Sequence, residues 1–277
     1  MNFKKLIINV ALTGIIPTKD QNPFVPLTPQ EIARDAKKVS LLGASIIHIH
    51  AREKDGVPTY KKKIYKEIIE RIRDACDDII ITVSTSGRRT KNIAQRMEVL
   101  GLDGVSKPDM ASLTLGSMNF KEDFSLNPPE TIAKLIKTMQ HAGIKPELEI
   151  FDTGMAAYAG YLFKNKYFEG LHYANLILGS LGTMAATPKH LVHLVDELHE
   201  EIIWGATGVG QFAFGIQRLS IAMGGHVRVG LEDSIYMDAE KRELATNEKL
   251  VMRVRKVAEA IEREIATTKE VRKLLMS

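Results

Sequence analysis

The stretch "ASIIHIHARE", residues 44–53, decides how the rest of the chain reads. Its β-branched apolar residues predict a strand, and on a strand side chains two apart point the same way. His48 and His50 therefore share a face. Two imidazoles side by side in so apolar a run are either hydrogen-bonded core histidines or two legs of a cation clamp. The H-x-H spacing at a strand end, followed by Arg52 and Glu53, favours the clamp.

Working outward, apolar runs of strand length alternate with segments of helical period along the whole chain. Strands are expected over 6–13, 45–52, 79–86, 110–115, 147–152, 174–179, 202–207 and 226–231. Helices are expected over 29–42, 60–75, 90–100, 129–142, 155–165, 188–200, 211–223 and 243–265. Thr28-Pro29 and Thr187-Pro188 mark two starts, since proline in the first turn loses no hydrogen bond. The strands are continuously apolar, as in a parallel sheet covered by helices. Eight βα units with no Pro/Gly/Ser linker predict one domain over 1–277, a closed (β/α)₈ TIM barrel, ahead of an open sheet with extra strands. In that architecture active sites sit at the C-terminal strand ends.

Composition agrees with a globular chain: 44% hydrophobic and 26% charged residues, with no low-complexity tract. The net charge of +4 comes from scattered residues. Lys61, Lys62 and Lys63 read as a solvated helix face rather than a nucleic-acid patch. The single cysteine, Cys76, excludes an intramolecular disulfide and follows a helical apolar pattern, which points to core packing and a reducing, cytoplasmic setting. "MNFKKLIINVALTG" resembles a secretory leader, but Asn9 interrupts its apolar run and no clean cleavage site follows. It reads as the first strand. No apolar run approaches the roughly 18 residues of a membrane span, so neither membrane nor nucleic acid is expected as a partner.

A catalytic metal usually takes a third protein ligand and keeps an open position. In "HVRVGLEDS" (226–234), Arg228 and Glu232 share strand parity, with Asp233 just beyond. In a closed barrel only the first strand separates the second from the eighth, which brings Glu232 within reach of His48 and His50. Ser84, Thr85 and Ser86, Ser112 and Thr114, and Glu147, Glu149 and Asp152 end neighbouring strands. Their hydroxyls can bind a substrate carboxylate or simply form turns and caps. The glycine-rich "GATGVGQFAFG" (205–215) does not fit the dinucleotide fingerprint, and the remaining histidines follow no ligand spacing. His190 and His193 share a helix face directed outward.

Together "HIHARE", "STSG", "KPDMASLTLGSMNF", "PELEIFDTGM" and "GLED" resemble the β-keto acid cleavage enzyme family, and the resemblance runs over essentially the whole chain. It implies a (β/α)₈ barrel holding one divalent ion, usually Zn²⁺, assembled as a homotetramer. It implies a reaction in which a β-keto acid and acetyl-CoA become acetoacetate and a new acyl-CoA. By position, His48, His50 and Glu232 match the family's metal ligands, Arg228 and Asp233 its catalytic pair, and Ser84, Thr85, Ser112 and Glu149 its substrate contacts. Members acting on aminated substrates carry a glutamate in a "TGAE" context, where this chain has Ile16 in "TGIIPT". An ammonium group in a dry pocket needs a partner, so the expected substrate is neutral or anionic. The loops "LGSLGTMAAT" and "GVGQFAF" also depart from the family pattern. A CoA-independent aldolase or hydrolase, and a metal-binding barrel without catalysis, are the alternative readings.

Overall fold

The computed structural model describes residues 4–121 and 123–276. Eight parallel strands close a barrel: β1 (Ile8–Ala11), β2 (Ile46–Ile49), β3 (Ile80–Val83), β4 (Met110–Thr114), β5 (Lys145–Ile150), β6 (His172–Leu178), β7 (Ile202–Gly208) and β8 (His226–Val229). Each pairs with its neighbours in sequence, and β8 closes on β1 with Asn9 opposite Arg228. This is the expected (β/α)₈ barrel. The first strand is thus a barrel strand, although Met1, Asn2 and Phe3 of the leader-like N-terminus lie outside the described residues.

The helices fall between the strands: α1 (Pro29–Leu41), α2 (Lys62–Ala75), α3 (Ile93–Met97), α4 (Pro129–Ala142), α5 (Thr153–Lys164), α6 (Pro188–Asp196), α7 (Ala213–Ala222) and α8 (Asn247–Ala260). Thr28 starts α1 with a capping box to Glu31, and Thr187 caps α6 ahead of Pro188. α3 is shorter than the expected 90–100, because a 3₁₀ turn over Glu98–Gly101 takes its second half. No helix among the described residues is long and apolar enough to cross a membrane.

Strand parity splits the apolar residues into two clusters. Outward positions such as Ile8, Val10, Ile47, Ile81 and Leu148 pack under the helices. Inward positions at the foot of the barrel, Ile7, Ile46, Ile80, Met110, Tyr173 and Ile203, form a second cluster. A further helix, α9 (Thr268–Leu275), closes that foot with Val271 and Leu275. With the bottom packed by apolar side chains, a cleft at the C-terminal strand ends reaches the interior.

Candidate metal and acyl-transfer site

Two residues further along the strands, the interior turns polar. Asn9, His48, Thr82, Ser112 and Asn175 occupy inward positions, joined by Glu147 on β5 and Arg228 on β8, and all are buried. His48 lies within β2. His50 lies just past it, before a short hairpin formed by Ala51–Arg52 and Pro58–Thr59. The strand expected over 45–52 is therefore two elements, with His50 at their junction.

Glu232 is not on a strand either. β8 ends at Val229, and Gly230 turns the chain with φ +148°, where an added Cβ would lie 2.1 Å from the Ala11 carbonyl oxygen. Only glycine fits that approach. The turn carries Glu232 back over β1, its backbone N–H donating to Ala11 O at 3.2 Å. The expected neighbours meet, by a turn rather than by strand parity.

His48 Nε2 lies 3.3 Å from His50 Nε2, His50 Nε2 lies 3.2 Å from Glu232 Oε1, and His48 Nε2 lies 3.9 Å from Glu232 Oε2. These three residues form one of two groups, among the described residues, whose donor atoms all lie within 4.8 Å. A tetrahedral ion with bonds of about 2.0–2.2 Å sets its ligand atoms roughly 3.3–3.6 Å apart. Two imidazoles and a carboxylate at these separations fit a divalent cation. The second group, His48 with Glu147 and Glu149, shares His48 through its other face, where Glu147 Oε2 is already hydrogen-bonded to Nδ1 at 2.8 Å.

Electrostatics follow from the burial of opposite charges together. Burial disfavours a charged His48, but Glu232 and Glu147 outweigh it and raise its pKa. At His50 burial wins, and the pKa falls. Glu232 stays ionised well below the usual carboxylate range: burial works against it, but His50, Arg228 and His48 prevail. Arg228 donates from Nε to Asp233 Oδ2 at 3.0 Å and from Nη2 to Asp233 Oδ1 at 3.3 Å. Its Nη2 also lies 3.0 Å from Glu232 Oε1, and its Nη1 lies 3.5 Å from Glu149 Oε1. Despite this arginine, burial keeps the Asp233 carboxyl above its ordinary pKa.

Above these groups opens a cleft of about 480 Å³. His50, Ser84, Glu149, Arg228, Glu232 and Asp233 line its floor. Thr85 and Ser112 are not among its lining residues. They bond to each other, Thr85 Oγ1 donating to Ser112 O at 2.6 Å and Thr85 N to Ser112 Oγ at 3.2 Å. Asp152 stands away from the site as the N-cap of α5, accepting from Met155 N at 2.9 Å. Ser86 and Thr114 do line the cleft, and Thr114 donates to Glu149 Oε2 at 2.6 Å.

Sequence reasoning missed the part played by Arg52. Buried, it donates to the carbonyls of Gly14, Pro17 and Gly56 and so clamps the loop that carries Ile15 and Ile16 to the cleft wall. Its place four residues after His48 was the available signal. Phe120 and the stacked Arg88, at 3.8 Å, belong to the same wall and carry no sequence pattern of their own.

The chain is 41% identical over 275 residues to the 3-keto-5-aminohexanoate cleavage enzyme of Fusobacterium nucleatum, covering 99% of this chain and 98% of that protein. It is 34% identical to the 3-oxoadipate:acetyl-CoA acetyltransferase of Cupriavidus necator, covering 97% and 94%. The fold superposes on apo ObcA with a TM-score of 0.81 at 18% identity, over 91% of this chain, which spans 65% of the ObcA chain. The profile of the beta-keto acid cleavage enzyme family matches residues 5–276. With that match, the relatives' identity and the barrel, the chain belongs to the β-keto acid cleavage enzyme family.

Proposed function

We propose that the chain is a divalent-metal-dependent transferase that converts a β-keto acid and acetyl-CoA into acetoacetate and a new acyl-CoA. The observation that carries this reading is the triangle of His48, His50 and Glu232 donor atoms, in which His50 and Glu232 line a cleft that also holds Arg228 and Asp233 while His48 is buried behind them. Two histidines and one carboxylate form a donor set used by catalytic zinc. Acetyl-CoA as co-substrate is supported by the names of the relatives.

When bound, the ion supplies Lewis-acid polarisation of the substrate's keto and carboxylate oxygens, which acidifies the carbon between them. Asp233 takes the proton from that carbon, held in place by the two hydrogen bonds from Arg228. Arginine is always charged and a poor base, so its part is to hold Asp233 and offset negative charge as it develops. The carbanion attacks the acetyl carbon, forming a carbon–carbon bond as the carbon–sulfur bond breaks. The CoA thiolate then adds to the former keto carbon. Cleavage of the original carbon–carbon bond releases the acyl-CoA, and Asp233 returns its proton to give acetoacetate. Ser84, with Ser86 beside it, offers hydroxyls to the substrate carboxylate; Glu149, held by the Thr114 hydroxyl, borders the same space, and Thr85 and Ser112 support that wall.

The substrate's side chain is neutral or anionic. Ile15, Ile16, Met118, Phe120 and Leu181 line the cleft, with Arg88, Lys121 and Lys241 also on its lining. Assembly as a homotetramer belongs to the same proposal. Replacing His48 or Glu232 by alanine tests it: each variant is expected to lose bound metal by elemental analysis and to form no acyl-CoA, with the barrel's circular dichroism retained. Full turnover in a metal-free variant would reject the reading.

A further inference from the structure

The mechanism leaves the buried charge of Glu147 unused. Glu147 is fully buried on β5, and a buried carboxylate is retained at a cost of several kcal/mol unless it is paired and hydrogen-bonded. Both of its oxygens are committed. Oε2 lies 2.8 Å from His48 Nδ1, and Oε1 accepts from Asn9 Nδ2 at 2.6 Å. Asn9 Nδ2 also donates to Asn175 Oδ1 at 3.3 Å. Four strands thus contribute one side chain each to a chain of hydrogen bonds that ends at His48, and none of the four is more than 1% exposed.

The chain of hydrogen bonds has a direction. An ionised carboxylate only accepts, so Asn9 must present its N–H group to Oε1 and His48 must carry its proton on Nδ1. In the neutral ring that metal binding requires, His48 Nε2 is left as a lone pair, and that nitrogen faces His50 and Glu232. We infer that Glu147 and Asn9 are positioning residues that fix the tautomer and ring orientation of His48, so that Nε2 is presented to a divalent ion. The inference rests on the proposed metal site. A ligating histidine whose other nitrogen is held by a carboxylate typically binds metal 10–100-fold more tightly than one without it.

Glu147→Gln keeps the shape and breaks the direction. If the new amide sets its oxygen toward Asn9, its NH₂ group faces His48 Nδ1 and moves the proton to Nε2. If it sets its oxygen toward His48, its NH₂ group opposes that of Asn9. The double substitution N9D/E147Q restores the polarity in reverse: the carboxylate introduced on β1 accepts from the amide introduced on β5, whose oxygen accepts from His48 Nδ1–H. Asn175, whose Nδ2 lacks a hydrogen-bond partner, can turn that group toward the new carboxylate.

The readout is the zinc dissociation constant, by competition with a chromophoric chelator, on protein whose folding is checked by circular dichroism. E147Q is expected to bind zinc roughly 10–100-fold more weakly, and N9D/E147Q to recover most of that loss. A folded E147Q with wild-type affinity overturns the inference, as does a folded double variant no tighter than E147Q. Should the variants not fold, the imidazole ¹⁵N spectrum of the zinc-loaded wild-type protein decides. A proton on His48 Nδ1 supports the inference and a proton on Nε2 overturns it. Wild-type protein that binds no zinc removes the metal site itself, an outcome distinct from all of these.

Discussion

The lower and upper halves of the barrel interior are built from the same strands and do opposite things. At the foot, Ile7, Ile46, Ile80, Met110, Tyr173 and Ile203 pack on α9 as an apolar plug. Two residues later the same strands present Asn9, His48, Thr82, Ser112, Asn175 and Gly205. Gly205 is as informative as the polar residues, because an added Cβ would lie 2.4 Å from the Tyr173 hydroxyl. The plug is filled to the point where the next layer must yield. Apolar packing lies below and buried polar groups above, and the period-two strand lets one sequence supply both.

The largest effect should come from the upper half. Arg228 is the cation shared by Asp233, Glu232 and Glu149. Arg228→Met leaves buried carboxylates uncompensated and should cost about 3–5 kcal/mol in urea unfolding, with turnover lost. Ile80→Ala should also destabilise, by about 2–5 kcal/mol through a cavity in the plug. It should leave zinc affinity unchanged. If I80A impaired zinc binding as much as stability, the division between the halves would fail.

A pH experiment sharpens the contrast within the lower half. Burial, aided by Arg263, pushes the His226 pKa down to about 3. The folded state therefore binds fewer protons at this site than the unfolded chain, whose histidine titrates near 6.5. Stability contributed by neutral His226 is present above about pH 6.5 and is lost as pH falls toward 3, with a slope approaching 1.4 kcal/mol per pH unit. His226→Asn keeps an acceptor for the Ile7 N–H and should flatten the melting-temperature profile between pH 6.5 and 4. An unchanged profile would mean that this histidine does not titrate as described.

The smallest effect on stability is expected at the rim. Ile16 is 39% exposed on the cleft wall, so Ile16→Glu should change stability by less than about 0.5 kcal/mol. It should nevertheless shift kcat/KM about 10- to 150-fold toward amino β-keto acids, since a charged hydrogen bond is worth about 1.5–3 kcal/mol. An unaltered preference would move the specificity determinant elsewhere on the wall.

The eight βα units and the paired histidines were legible because period-two and period-3.6 patterns are written locally. Glu232 was found through an argument about strand parity, although its position depends on the turn at Gly230, which no periodicity reports. α9 escaped reading despite its capping box of Thr267 and Glu270, because its eight residues sit close behind the long pattern of α8. Asp152 looked like a rim carboxylate and is a helix cap, since both roles place an acidic residue at the same strand-to-helix junction. Asn9 read as a flaw in an apolar run. Its partners Glu147 and Asn175 lie 138 and 166 residues away, and only barrel closure brings the three together.

The acyl exchange proposed above depends on a three-ligand metal centre. Its most direct test is mass spectrometry of CoA products from metal-depleted and zinc-loaded protein, incubated with acetyl-CoA and a panel of neutral, anionic and amino β-keto acids. One new acyl-CoA and an equal amount of acetoacetate are expected from a neutral or anionic substrate, in the zinc-loaded sample alone. Equal turnover without metal, or stoichiometric zinc with no acyl-CoA from any substrate, would contradict the proposal.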